Sequence, residues 1–295
     1  QPYFKELFAK YNIPIPDYNI RTARFAVFDR SIILHSERRS KNLDLYKENG
    51  FVPVYYWSHA IIARDWYRYA EYDVFNKQAN KTFLIYNRAW SGTREYRLLF
   101  LDLLIKNNLV DSCQTTCNPL DPELQVHYAD HEYNNSKWQP EHILENYFKP
   151  SEADSSASAD YSTTDYNNTE IEVVLETLFD DDRLHLTEKA LRPIACRQPF
   201  ILAGTSGSLE YLRWYGFKTY GSVWNESYDT ISDPVERLSA IVNLMKEIDS
   251  WDSDTKAKKL SEAKAIAEYN HRHFFNSGFN NIVVNELRTN LELAF

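Results

Sequence analysis

The sequence predicts an α/β fold built from two strand–helix–strand units. Three observations carry that prediction. Short apolar runs alternate with helix-patterned stretches in two separate parts of the chain. The length of 295 residues suits two domains at roughly 150 residues each. Hydrophobic residues at 43% and charged residues at 25% give ordinary globular proportions, and a chain this long buries a sizeable core without disulfides or metals.

The elements follow in chain order. Phe25–Phe28 and Ile32–Leu34 have strand character. Ser36–Asn49 is charged and helix-permissive, and Gly50 punctuates it. Phe51–Tyr56 is the next strand and Ala60–Ala70 an aromatic-rich helix. The second set opens with a strand at Lys81–Tyr86. Between Arg94 and Asn108, Tyr96, Leu99, Phe100, Leu103 and Leu104 fall at helical spacing. Residues 151–170 contain almost nothing that packs and are expected to form a solvated, flexible loop. Ile171–Leu175 is a buried strand. Thr187–Cys196 is a helix with Thr187 as N-cap. Pro199–Ala203 is another strand, closed by Gly204-Thr-Ser-Gly207. A short helix runs from Ser208 to Tyr215 and stops at Gly216. From Asp233 onward the chain is mostly helical, and its last helix, Asn280–Leu293, is amphipathic. The expected units are 1–78, 79–276 and a C-terminal helix over 277–295.

Composition excludes several functions. With 7 glycines, neither glycine-rich phosphate fingerprint occurs, so a bound nucleotide must be held another way. The net charge of −9 does not draw phosphate backbones at long range, although a local basic groove stays open. No apolar run spans a membrane. The chain starts at Gln1, so the native N-terminus is expected upstream. Cys113, Cys117 and Cys196 form no disulfide framework and are expected to be reduced thiols of a cytoplasmic protein.

The segment Thr187-Glu-Lys189 sits at a helix start, after a strand bearing Glu176 and before a buried strand. A helix N-terminus accommodates a diphosphate without a glycine loop. Lys189 adds a point charge, and Glu188 suits ribose or sugar hydroxyls. The bland reading is a capped helix start with exposed charges. This arrangement resembles the donor half of GT-B glycosyltransferases, and the tripeptide is similar to the Thr-Glu-Lys motif of α1,3-fucosyltransferases. TEKALRPIACRQPFILAG, GSLEYLRWYGFKTY, WNESYDTISDPVERL, His35-Ser-Glu37, YYWSHAIIARDWYRYAEYD and YNRAWSGTREYRLLFLDLL resemble glycosyltransferase-like proteins of tailed phages. The resemblance implies two Rossmann-like units, with a nucleotide-sugar, for example a UDP-sugar, bound as substrate by the second. It implies no metal or other cofactor, and the cytoplasm of the infected host as location. The donor set is Thr187, Glu188, Lys189, Glu176, Thr205 and Ser206, with Arg88 and Arg94 beyond a strand end gripping phosphate.

A general base must take the acceptor proton. Glu37, His59 and Asp65 are the candidates, and the fucosyltransferase analogy favours Glu37. Asp180-Asp-Asp182 is not taken as a metal site, nor are His127, Asp130 and His131. The phage likeness makes a hydroxymethylated pyrimidine in double-stranded DNA the leading acceptor. Arg64, Trp66 and Arg68 would hold phosphate and base. A bacterial surface glycan is the alternative, and a catalytically silent nucleotide-sugar-binding protein the third reading.

Overall fold

The computed structural model describes residues 31–40, 42–73, 75–150 and 161–294. The run at Phe25–Phe28 lies outside them. The first unit is a βαβ turn: β1 (Ser31–His35), α1 (Asn42–Glu48) and β2 (Phe51–Tyr55). The strands pair in parallel, with Ile32 opposite Val52 and His35 opposite Tyr55. Parallel pairing requires a crossover, which α1 supplies. This helix begins later than Ser36 because the Glu37 carboxylate organises the strand end. It accepts from Ser40 Oγ at 2.6 Å and Asn42 Nδ2 at 3.1 Å. Helix α2 (Ser58–Trp66) follows and tightens into a 3₁₀ turn at Arg68–Glu71.

The second sheet holds β3 (Lys81–Ile85), β4 (Cys113–Thr115), β5 (Thr169–Leu175) and β6 (Phe200–Ala203). Its order is β4-β3-β5-β6, parallel throughout. Thr82–Ile85, Ile171–Leu175 and all of β6 are buried, as expected for a parallel sheet covered on both faces. The crossover helices are α3 (Tyr96–Lys106) between β3 and β4, and α5 (Glu188–Ala195) between β5 and β6. The C-terminal part supplies α6 (Ser208–Trp214), α7 (Pro234–Asp249), α8 (Ser253–Phe275) and α9 (Ser277–Ala294). Helix α3 packs on α7, α5 packs on α8 and α2, and α9 returns across β2 and α2.

The expectation of an unpacked loop over 151–170 is corrected for its second half. Residues 161–170 form α4 (Thr163–Asn168) and the start of β5. Tyr166 is fully buried, and its hydroxyl donates to Glu172 at 2.5 Å. Asp165 accepts from Tyr86 Oη at 2.8 Å and Gln114 Nε2 at 2.6 Å, tying this helix to the chain beyond β3 and to β4. Polar residues pack here because each finds a partner. Residues 151–160 lie outside the described residues.

The two sheets are joined by specific bonds. Arg38 and Leu184 exchange backbone hydrogen bonds of 2.9 and 2.8 Å. The buried Trp57 donates Nε1–H to the Leu186 carbonyl at 2.8 Å. Glu286 of α9 accepts from Arg38 Nη2 at 2.5 Å and from Tyr215 Oη at 2.6 Å. Among the described residues no helix is long and apolar enough to cross a membrane.

Candidate active site

In an open parallel sheet the ligand crevice lies beyond the strand C-termini, where strand order reverses. Here that point is between β3 and β5, and the chain fills it. Arg97 donates Nη1 to the Ala89 carbonyl at 2.7 Å and Nη2 to the Leu175 carbonyl at 2.6 Å. Tyr96 Oη donates to the Glu176 carbonyl at 2.6 Å. Open space is found instead where the ends of β5 and β6 meet the segment following β1.

That space has two compartments sharing Arg39. The polar one, about 590 Å³, is lined by Arg39, Asp180–Asp182, Thr205, Ser206, Ser232 and Arg237. Arg39 has φ 55°, a left-handed conformation uncommon outside glycine. It is held there by the adjoining Arg38–Leu184 bridge and by donating Nη2 to the Ser206 carbonyl at 2.5 Å. Gly207 lies beneath the Arg39 guanidinium and has φ 87°, which glycine adopts without strain. Arg237 is buried and stacks over Phe179 at 4.5 Å. Its hydrogen bonds go to the carbonyls of Gly204, Ile231, Ser232 and Phe179. Burial lowers its pKa from the ordinary arginine value. The Thr205–Gly207 loop is pinned by Asp229, whose carbonyl accepts from Gly207 N at 2.8 Å and whose carboxylate accepts from Leu209 N at 3.1 Å. Burial raises the Asp229 carboxyl to about 6.

The second compartment, about 620 Å³, is aromatic at its base and charged at its rim. Tyr55, Trp214 and His35 line it together with Arg38, Glu37 and Glu210. Arg38 stacks over Tyr55 at 4.0 Å and lies 5.4 Å from the Trp214 ring centre.

The Thr187-Glu-Lys189 start of α5 lies near the same strand ends. Thr187 caps the helix through Lys189 N at 3.4 Å. Glu176 supports the cap from beneath. Its carboxylate accepts from Thr187 N at 3.0 Å, Thr187 Oγ1 at 2.7 Å and Thr177 N at 3.0 Å. Two carboxylates, Glu176 and Glu188, therefore stand at the helix N-terminus where the sequence suggested a diphosphate. Lys189 Nζ pairs with Glu188 at 2.6 Å. His59, brought from the start of α2, places Nδ1 3.3 Å from the other Glu188 oxygen. Burial opposes ionisation of Glu188, but His59 and Lys189 outweigh it and hold the carboxyl down at about 2. His59 also meets His185 edge-on at 5.0 Å, and His185 Nδ1 is 3.0 Å from the Ser36 carbonyl. Among the described residues, His59 Nδ1 stands beside the Glu188 carboxylate without a hydrogen bond of its own, and an imidazole next to a carboxylate can move a proton once the two align.

The other expected residues fall elsewhere. Glu37 lines the aromatic compartment, but its carboxylate is paired with Arg183 at 3.0 Å as well as with Ser40 and Asn42. Burial opposes these donors, which together lower its pKa below the ordinary value. Such a group is a poor proton acceptor. Arg94 forms a forked pair with Glu123, and Arg88 lies 3.7 Å from the same carboxylate. Asp65 of α2 pairs with Arg68 of the following 3₁₀ turn at 3.1 Å, and both side chains are exposed. Arg64 donates to the carbonyls of Asn276 and Phe275, closing the end of α8. Trp66 is exposed. His127 pairs with Glu145 and His131 with Glu95, each at its own carboxylate. Among the described residues no group of three or more His, Cys, Asp or Glu side chains is placed to hold a metal ion. The three cysteines are buried and free.

Sequence reasoning missed Arg38, Arg39, Trp214 and Arg237. The pair Arg38-Arg39 just beyond a strand end was a usable signal for the first two. Trp214 and Arg237 lie within GSLEYLRWYGFKTY and WNESYDTISDPVERL, but neither segment marks the individual residue. No protein family, curated protein or solved structure matches the chain.

Proposed function

We propose that the protein is a glycosyltransferase that moves a sugar from a nucleoside-diphosphate sugar to a hydroxyl acceptor, with a GT-B-like division between its two parallel sheets. The observation that carries this reading is the polar compartment. A left-handed Arg39 from the first unit faces Thr205, Ser206 and the buried Arg237 of the second. The Arg39 guanidinium and the Ser206 hydroxyl suit a phosphate, Arg237 and Thr205 brace the wall behind them through main-chain carbonyls, and the adjacent carboxylates of Asp180 and Asp182 suit ribose or sugar hydroxyls. The donor thus shifts from the start of α5 to the loop after β6, keeping Thr205 and Ser206 from the expected set. His59, beside Glu188, takes the acceptor proton. Lys189 positions Glu188.

The acceptor surface expected on α2 draws no support from its arginines. Arg64 is bonded to main-chain carbonyls and Arg68 to Asp65, and the net charge is −9. A glycan suits that surface better than duplex DNA. Transfer assays with common UDP-, GDP- and dTDP-sugars test the proposal. His59→Gln should lower the transfer rate by about 10²–10⁴-fold with donor affinity preserved. A binding protein without catalysis would bind the donor and transfer nothing in either form.

A further inference from the structure

The aromatic compartment has a chemistry of its own. Trp214, the last residue of α6, is 53% exposed, although its neighbours Tyr211 and Tyr215 are buried. Arg38 holds the space between the Trp214 and Tyr55 rings and is itself fixed by Glu286 and Tyr215. The platform is therefore braced from three elements, while much of the Trp214 ring remains open to a ligand.

The rim carries both signs of charge: Glu37 and Glu210 against Lys47 and Arg39. A phosphate or another compact anion would leave the exposed Trp214 face uncovered. A cation meets arginine and lysine. A neutral polyol satisfies both, because each hydroxyl donates to a carboxylate or accepts from a guanidinium or ammonium. A pyranose ring has this combination, with an apolar C–H face for the indole and hydroxyls around its edge. Its place is fixed by Arg39, which borders both compartments.

We infer that the compartment formed by Trp214, Tyr55 and Arg38 binds a pyranose ring of a carbohydrate acceptor, stacked on Trp214 with its hydroxyls on Glu37, Glu210 and Arg39. The inference rests on the glycosyl-transfer reading and names its acceptor class. Trp214, not the α2 aromatics, is then the recognition platform, and the acceptor is a glycan.

Saturation-transfer NMR tests it directly. The probes are the methyl glycosides of glucose, galactose, mannose and N-acetylglucosamine, and a duplex oligonucleotide containing hydroxymethylcytosine. At least one glycoside should receive saturation at its ring C–H protons. Trp214→Ala should weaken that binding by about tenfold, whereas Trp214→Phe should keep most of it. Calorimetry with a nucleotide-sugar should give the same donor affinity in wild type and Trp214→Ala. The inference is overturned if no glycoside is saturated, if Trp214→Ala binds as wild type does, or if the oligonucleotide is the probe that depends on Trp214. Glycoside binding without any donor binding would sustain this compartment while removing the glycosyl-transfer reading.

Discussion

Two carboxyl groups near the site are pushed in opposite directions, and each gives a distinct dependence on pH. Glu188 has an ordinary value of 4.5 and is held at about 2 in the fold. The stability contributed by its ionised carboxylate is fully present above about pH 4.5 and is lost as pH falls toward 2. The shift corresponds to roughly 3 kcal/mol. Glu188→Gln should therefore flatten the loss of stability on this acid limb in urea titrations, and an unchanged slope would refute the pairing. Asp229 behaves in the reverse sense. Its ordinary value of 3.8 is raised to about 6 by burial, so the unfolded chain releases the proton first. Stability falls as pH rises through that window, by on the order of 2–3 kcal/mol. Asp229→Asn should gain on wild type progressively between pH 4 and 6 while its amide oxygen still accepts from Leu209. Neither shift was legible in the sequence. Thr187-Glu-Lys189 was visible as a helix start, but His59 reaches Glu188 only because α2 packs on α5.

At the scale of elements, the parallel architecture was largely readable. The apolar runs at 81–86, 171–175 and 199–203 became β3, β5 and β6 because strands buried on both faces need continuous apolar residues. Gly216 was read as a helix stop, and the bonds show how it works. Phe217 N donates to the Leu212 carbonyl and Gly216 N to that of Arg213, closing α6 with Gly216 at φ 86°. A Cβ at Gly216 would also lie 2.8 Å from His273 Nε2. Gly216→Ala should cost about 1 kcal/mol or more, measured by thermal unfolding. The packing of the polar stretch at 161–170 is not legible in the sequence because it relies on partners far away in the chain, Tyr86 and Gln114. The role of Glu176 was hidden for the same reason. It faces the cap of α5 rather than a ligand. Glu176→Ala would leave two backbone N–H groups and the Thr187 hydroxyl unpaired, at a cost of roughly 3 kcal/mol. A neutral result in urea unfolding would contradict this buried cap.

At the scale of the whole molecule, the candidate site exists because the two sheets are fastened together. The Arg38–Leu184 bridge, the Trp57–Leu186 bond and Glu286 of α9 all lie close to it in the chain or in space. Trp57→Phe would leave the Leu186 carbonyl without its donor and should cost about 1–2 kcal/mol. It should also weaken donor binding, since it loosens one wall against the other. These long-range joints are what a single sequence conceals, and they decide which charged residues face a ligand. Arg39 faces the polar compartment, whereas Arg94 is occupied by Glu123. The central claim is that Arg39 and the Thr205–Ser206 loop form a diphosphate site between the two units. The measurement that tests it most directly is a thermal-shift titration of wild type and Arg39→Ala with UDP-, GDP- and dTDP-sugars. One of these donors at 100 times its Kd should stabilise the wild type by about 2.7 kcal/mol and leave Arg39→Ala nearly unshifted. Equal stabilisation of both proteins, or none in the wild type with any of the three donor classes, would contradict the account.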